Sequence, residues 1–315
     1  MKIWQSLMIR LATSSRLKHL MQSNRSTTRL ARRFVGGDNI DDALKTISGL
    51  NEKGFSVSGY YLGEYVDNRE LVDLNVDEIS QGIERIGASD FQLHYSIDPT
   101  QVGFGFDDDL GDLNARNIGE QFKKLSAGNN RAVLMLDMED HSYVERTLML
   151  RDSLDDAGVP VAQTLQAYLR RTESDLKKLI DKGAMVRLVK GAFVGTEENA
   201  FATNREIDAN YRKLIDIMLS KEAKEAGFYP VFGTHDADMA LEVERLVSER
   251  HWDIDAYEFE MLYGVRPELQ QDLVRRGHRV RLYLPYGVDW WPYAVRRVGE
   301  SPRNAKLLLR ASVSR

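Results

Sequence analysis

The densest chemistry in this chain lies near its end. From Arg281 the sequence runs Leu-Tyr-Leu-Pro-Tyr-Gly-Val-Asp-Trp-Trp-Pro-Tyr-Ala-Val and then Arg296-Arg297. An apolar strand through Tyr283 turns at Pro285 and Gly287 and enters a helix near Trp290. On that helix Arg296 and Arg297 follow Tyr293 by three and four residues, so the three side chains stack one turn apart. Two guanidiniums among tyrosines make a planar cationic clamp suited to a carboxylate. A solvated basic patch is the plainer reading of an Arg-Arg pair, but the aromatics and the strand-end position favour the clamp.

The elements that would carry such a clamp alternate. Strands are expected at 55–61, 91–97, 131–136, 161–166, 185–189, 229–233, 254–259 and 280–284, each a short β-branched or aromatic run. Amphipathic stretches at 39–53, 141–157, 173–182, 207–226, 239–250 and 267–276 fall between them. Gly158, Gly183, Gly227 and Gly277 follow as helix stops. Eight strands alternating with helices match the rhythm of a (β/α)8 barrel. A doubly wound open sheet would want a glycine-rich turn after its first strand, which Gly54 and Gly59 do not make. The expected layout is a basic helical arm over 1–38 and one TIM-type barrel over 39–315, with the last helix lying over the C-terminal rim.

Bulk properties narrow the function. The 315 residues are 43% hydrophobic and 29% charged, with no cysteine, so disulfides and thiolate chemistry are excluded. The chain has no apolar run of membrane-spanning length. Residues 1–35 contain Lys2, Arg10, Arg16, Lys18, Arg25, Arg29, Arg32 and Arg33 and no acid. Of a net charge of -5, that leaves the remainder near about -13. Such an arm reads as a mitochondrial transit peptide, as a segment touching an anionic bilayer, or as an ordinary packed arm. Nucleic acid is a poor partner for so acidic a body.

Barrel chemistry collects at the C-terminal strand ends. In order these ends offer His94, Asp137-Met138-Glu139-Asp140, Gln166, then Arg187 with Lys190-Gly191-Ala192. Thr234-His235-Asp236, Glu258, Glu260 and Leu262, and finally Tyr283 complete the set. Asp140 and Asp236 are expected as helix N-caps. Lys190-Gly191-Ala192 suits a phosphate, because glycine admits the backbone close to an anion and lysine adds charge. The rim holds no nucleophile paired with a base, so one reading imports redox chemistry with a cofactor. A second places a divalent metal on His94, His235 and Asp137 for hydrolysis. A third is a barrel used for binding alone.

Several motifs together resemble one family. They are Tyr257-Glu-Phe-Glu-Met-Leu-Tyr-Gly-Val-Arg266, Arg187-Leu-Val-Lys-Gly-Ala-Phe193, Leu136-Asp-Met-Glu-Asp140, Gly233-Thr-His-Asp236 and Tyr283 through Arg297. In this order they look like proline dehydrogenase, with the resemblance running from about Ala31 to Asn304. It implies a distorted barrel holding FAD across its C-terminal rim and no metal. Arg187 would sit near flavin N5, and Val189, Lys190, Gly191 and Ala192 would lie against the pyrophosphate. Gln166 would meet the isoalloxazine edge, Thr234 and His235 would line the cofactor, and Glu300 would reach a ribose. Arg296 and Arg297 would hold the substrate carboxylate, with Tyr283, Tyr293, Leu262 and Phe193 over the ring. Asp137, His94 and Arg187 would form the catalytic group. The implied reaction takes L-proline to Δ1-pyrroline-5-carboxylate by hydride transfer to the flavin, with electrons passed to membrane quinone and the protein cytoplasmic or peripheral to the inner membrane.

Four positions depart from the family's usual pattern. His94 replaces a lysine that normally pairs with the aspartate matching Asp137. Tyr60-Tyr61 replaces an Asp-containing version, Glu260 a glutamine and Phe193 a tyrosine. These changes make a hydroxylated or N-substituted proline the alternative substrate.

Overall fold

The computed structural model describes residues 33–299 except 64, 65, 67, 129, 130 and 192–194, with side chains given only to 294 in the last helix. Eight parallel strands close into a barrel in chain order. They are β1 (Ser56–Tyr61), β2 (His94–Ile97), β3 (Val133–Leu136), β4 (Val161–Gln166), β5 (Met185–Val189), β6 (Tyr229–Gly233), β7 (Glu258–Leu262) and β8 (Val280–Tyr286). Around them run α1 (Ile40–Asn51), α2 (Arg69–Gly87), α3 (Asp108–Leu125), α4 (Val144–Asp156), α5 (Thr172–Asp181), α6 (Asn204–Met218), α7 (Lys221–Glu225), α8 (Ala237–Glu249) and α9 (Pro267–Arg275). A last helix, α10 (Trp290–Gly299), follows β8. Among the described residues no helix is long and apolar enough to cross a membrane.

Local chemistry explains the boundaries. Asn39 and Asp236 cap α1 and α8 through their side chains, and Thr203 with Glu206 forms a capping box on α6. Asp140 caps the short 3-10 turn before α4. Gly158, Gly183, Gly227 and Gly277 all take positive φ just past their helices, where a Cβ would strain the chain. The expected single helix over 207–226 is two, because Ser220 has extended dihedrals and caps α7 by accepting from Ala223 N.

The apolar core lies between sheet and helices. Ile79, Ile83 and Ile86 of α2, for example, are fully buried against the barrel wall. Each such side chain stabilises by about 1.5–3 kcal/mol relative to exposure.

Inside the barrel the chemistry is different. Alternate residues of a strand share one face, and the inward faces carry His94, Ser58, Glu258, Glu260, Arg187 and Arg281 rather than the branched aliphatics that usually fill such a lumen.

Two strands are displaced from expectation, and that moves candidate site residues. The alternating Trp252-Asp-Ile-Asp-Ala looks like strand, but its aspartates favour a turn, and Ala256 N donates to Asp253 O with Ile254 exposed. β7 therefore starts at Glu258, which makes Glu258 a bottom residue and Glu260 a mid-strand one. β2 likewise starts at His94, so His94 enters the lumen from the N-terminal side instead of standing on the rim.

Candidate active site

A layer of polar side chains lies inside the mouth of the barrel, centred on Arg187 of β5. Its Nη2 donates to Asp137 Oδ1 in a short contact, its Nη1 to Glu260 Oε1 at 2.8 Å and its Nε to Thr164 Oγ1 at 3.1 Å. Asp137 also accepts Tyr283 OH at 2.8 Å on Oδ2 and Thr164 Oγ1 at 3.4 Å on Oδ1. The guanidinium lies 5.3 Å from the centre of the Tyr283 ring. Planar donors meeting two carboxylates and an aromatic face fix the guanidinium's position and plane.

Burial works against the Arg187 charge, but Asp137 and Glu260 outweigh it and hold its pKa above the usual arginine value. Burial pushes the Asp137 carboxyl upward while Arg187, Tyr283 and Thr164 pull it down. Glu260 is pushed up by the same burial, with Arg187 and Arg281 opposing. Tyr283 is raised well above the ordinary phenol, by burial first and by Asp137 second. Its phenol is thus a fixed donor to Asp137.

Above this layer the mouth is aromatic. Tyr60, Tyr283, Tyr293, Trp290, Trp291 and Leu262 belong to one apolar cluster, which Phe34 and Val35 also join. The Tyr60 and Tyr283 rings lie 5.1 Å apart, and Tyr60 OH donates to Asp98 Oδ2 at 2.5 Å. Tyr283, Tyr293 and Leu262, expected around a substrate ring, are brought together. α10 carries Arg296 and Arg297 three and four positions after Tyr293, but those two side chains lie outside the described residues. Ala192, Phe193, Glu300 and the arm to residue 32 also lie outside them.

A second strip runs along the ends of β4, β5 and β6. Gln166 Nε2 donates to Met138 O, while its buried Oε1 has no hydrogen-bond partner. Gly191 has φ +94°, and a Cβ there would come within 2.3 Å of the Tyr168 ring, so only glycine fits. Lys190 Nζ pairs with Asp208 at 2.6 Å and Asp236 at 2.8 Å. Burial lowers the Lys190 pKa, but these two carboxylates more than reverse it. Val189 O accepts from Ala167 N, and Thr234 Oγ1 accepts from Asp236 N. His235 Nε2 accepts from Leu262 N at 2.9 Å, which ties the end of β6 to the end of β7.

Two expectations fail here. His94 does not meet Asp137; its Nδ1 pairs with Ser58 Oγ at 3.0 Å, deeper in the lumen. The residue just past β2 at the mouth is Asp98. The metal set His94, His235 and Asp137 does not form, because Leu262 N occupies His235 Nε2 while Arg187 and Tyr283 occupy Asp137.

Sequence reasoning also missed three contributors. Thr164 stands two residues before Gln166, a spacing that puts both on one strand face. Asp98 directly follows the strand end expected at Ile97, but reading His94 as that strand's polar contributor passes over it. Asp208 sits on α6, where nothing in the sequence separates it from other surface acids.

Comparison with known proteins agrees with this geometry. The family model described as proline dehydrogenase matches residues 43–309. Proline dehydrogenase of Deinococcus radiodurans is 36% identical over 285 residues, covering 89% of each chain. Proline dehydrogenase 1 of Bacillus subtilis subsp. natto is 35% identical over 284 residues, covering 90% of this chain and 91% of its own. Among solved structures, proline utilization A from Bdellovibrio bacteriovorus, inactivated by N-propargylglycine, superposes with a TM-score of 0.75 at 21% identity over 90% of this chain. The match spans about a third of that longer chain (35%), so it bears on the fold alone. With a barrel whose mouth gathers Asp137, Arg187 and Tyr283, and relatives matched along nearly their whole length, the chain belongs to the proline dehydrogenase family.

Proposed function

We propose that the chain oxidises L-proline to Δ1-pyrroline-5-carboxylate with FAD bound at the barrel mouth. The observation that carries this reading is the Asp137–Arg187–Glu260 layer lying directly beneath the aromatic cluster of Tyr60, Tyr283 and Tyr293. A fixed guanidinium faces the place where a ring would sit, and large apolar side chains surround it.

The residues present fit the cofactor. Gln166 Oε1 is a buried acceptor awaiting a donor, and Gly191 takes a positive φ that lays a bare backbone against the Tyr168 ring at the strand end. Gln166 and Arg187 would hold the isoalloxazine, and Val189, Lys190, Gly191, Ala192, Thr234, His235 and Glu300 the remainder. Lys190 already shares its charge with Asp208 and Asp236, so a pyrophosphate would compete with both. When bound, the flavin supplies a two-electron acceptor that none of the twenty side chains provides.

The chain's own part is to bind, orient and dry the substrate. Arg296 and Arg297 pair with the carboxylate, and Tyr283, Tyr293, Leu262 and Phe193 close over the pyrrolidine ring and exclude water. In the reaction C5 loses hydrogen with two electrons, nitrogen loses a proton to solvent, and a carbon–nitrogen double bond forms. Both Asp137 oxygens already accept hydrogen bonds, so Asp137 positions Arg187 rather than taking that proton. Electrons leave to a membrane quinone, and the cationic residues among positions 1–33 would draw the chain to the anionic surface where quinone is dissolved.

Tyr283, with Tyr60 5.1 Å away, narrows the pocket against a ring hydroxyl. Departures at Tyr60 and Glu260 keep an N-substituted or hydroxylated proline as the second reading. Product assays with L-proline, trans-4-hydroxy-L-proline and N-methyl-L-proline and a quinone acceptor separate the two. The highest kcat/KM for L-proline supports the first reading, and a preference for either analogue replaces it with the second.

A further inference from the structure

Deeper in the lumen, two buried acceptors have no partner. Glu260 gives Oε1 to Arg187 Nη1, but its Oε2 is buried without a hydrogen bond. His94 pairs through Nδ1 with Ser58 Oγ, and its Nε2 is likewise buried and alone. One ring nitrogen of His94 and one oxygen each of Glu258 and Glu260 lie within 4.8 Å of one another. Both residues are almost wholly sequestered, so each orphan costs free energy until something joins them.

Charge counting says what that something is. The groups facing this space are Asp137 just after β3, Arg187 from β5, Glu258 and Glu260 from β7, Arg281 from β8 and the imidazole of His94 from β2. Burial and the two arginines hold the His94 pKa well below the usual value. Fully ionised, three carboxylates would face two guanidiniums, leaving a net negative charge in a dry interior. One added proton balances the set.

We propose that Glu260 is a positioning residue of the active site that works as a neutral carboxylic acid, its Oε1 receiving Arg187 and its second oxygen carrying the proton. The proton belongs on Glu260 because the other two carboxylates are better supplied. Asp137 accepts from Arg187, Tyr283 and Thr164, and Glu258 accepts Arg281 through both oxygens. Nearby, His94 Nδ1 pairs with Ser58 Oγ, and Ser58 Oγ with Ser96 Oγ at 3.3 Å, so His94 offers Glu260 no second charge. Burial moves both pKa values in the supporting sense, raising Glu260 and lowering His94. A divalent cation is a poorer occupant, since it would sit between two guanidiniums and pull Glu258 from Arg281.

The consequence for turnover rests on the proposed function: ionising Glu260 draws Arg187's charge away from the mouth. The proton itself can be tested without any substrate. Infrared spectra of the purified full chain at pH 7, with and without carbon-13 glutamate, should show one carboxylic-acid carbonyl band that shifts with the label. That band should vanish in Glu260→Gln. A raised folded pKa stabilises at low pH and loses its contribution as pH rises. The stability of the native chain relative to Glu260→Gln should therefore fall from the ordinary carboxylate range upward and level off above the folded pKa. If the variant fails to fold, the isotope shift in the native chain still decides. A missing labelled band at pH 7 overturns the proposal in favour of an ionised Glu260. A stoichiometric divalent metal in the purified chain overturns it in favour of a cation.

Discussion

Two buried arginines occupy neighbouring levels of the same lumen and are held differently. Arg281 of β8 meets a single carboxylate, Glu258, through Nε at 2.7 Å and Nη2 at 3.1 Å. Its remaining donors go to Val57 O and Gln92 Oε1. Arg187 meets two carboxylates and a threonine, and its plane faces the Tyr283 ring. Relative exposure runs from 2% and 1% for Arg281 and Glu258 to 5% and 9% for Arg187 and Asp137. The lower pair is closed and self-sufficient. The upper one is a charged network at the edge of solvent, where a ligand can still reach it. One barrel thus uses the same side chain as a strut at the bottom and as part of a site at the mouth.

The largest effect should come from the strut. Arg281→Met leaves Glu258 buried and unpaired and should cost about 3–5 kcal/mol in urea unfolding. Protein that does fold should keep more of its turnover than Arg187→Met, because Arg281 makes no hydrogen bond to Arg187, Asp137 or Tyr283. Arg187→Met strikes turnover first. Asp137 keeps Tyr283 and Thr164 while Glu260 loses its hydrogen bond, so some stability is lost as well, but turnover of L-proline should drop by about two orders of magnitude. Next come Arg296→Met and Arg297→Met, each expected to raise the apparent KM for proline at least about tenfold with little change in melting temperature. The smallest effect belongs to the half-exposed rim pair. Lys190 lowers the Asp236 carboxyl against the opposing push of burial. That contribution is present above the ordinary carboxylate pKa and is lost as pH falls through the depressed one. Asp236→Asn keeps the helix cap and should cost less than about 1 kcal/mol at neutral pH, with the difference fading in acid. Equal responses of Arg281→Met and Arg187→Met in stability and turnover would erase the distinction between the two levels.

How much of this was legible in the sequence follows from what each signal depends on. Strand alternation and glycine stops are local, so the barrel, the glycine-capped helices and the caps at Asp140 and Asp236 could be read directly. Register is not local. An Asp-Ile-Asp run imitates strand periodicity, and a strand started too early put Glu258 and Glu260 at the rim when they lie at the bottom and middle of β7. His94 was misplaced for the same reason, and with it the idea that it stands against Asp137. The Arg187–Asp137 pairing joins β5 to β3 across 50 positions, and Lys190 with Asp208 joins a strand end to a helix. Only closure of the barrel reveals such partners.

The most direct test of the catalytic reading is optical. The purified chain, supplied with FAD and made anaerobic, should show flavin absorbance bands that bleach when L-proline is added. Bands that dithionite removes but L-proline leaves untouched would contradict proline oxidation at this mouth.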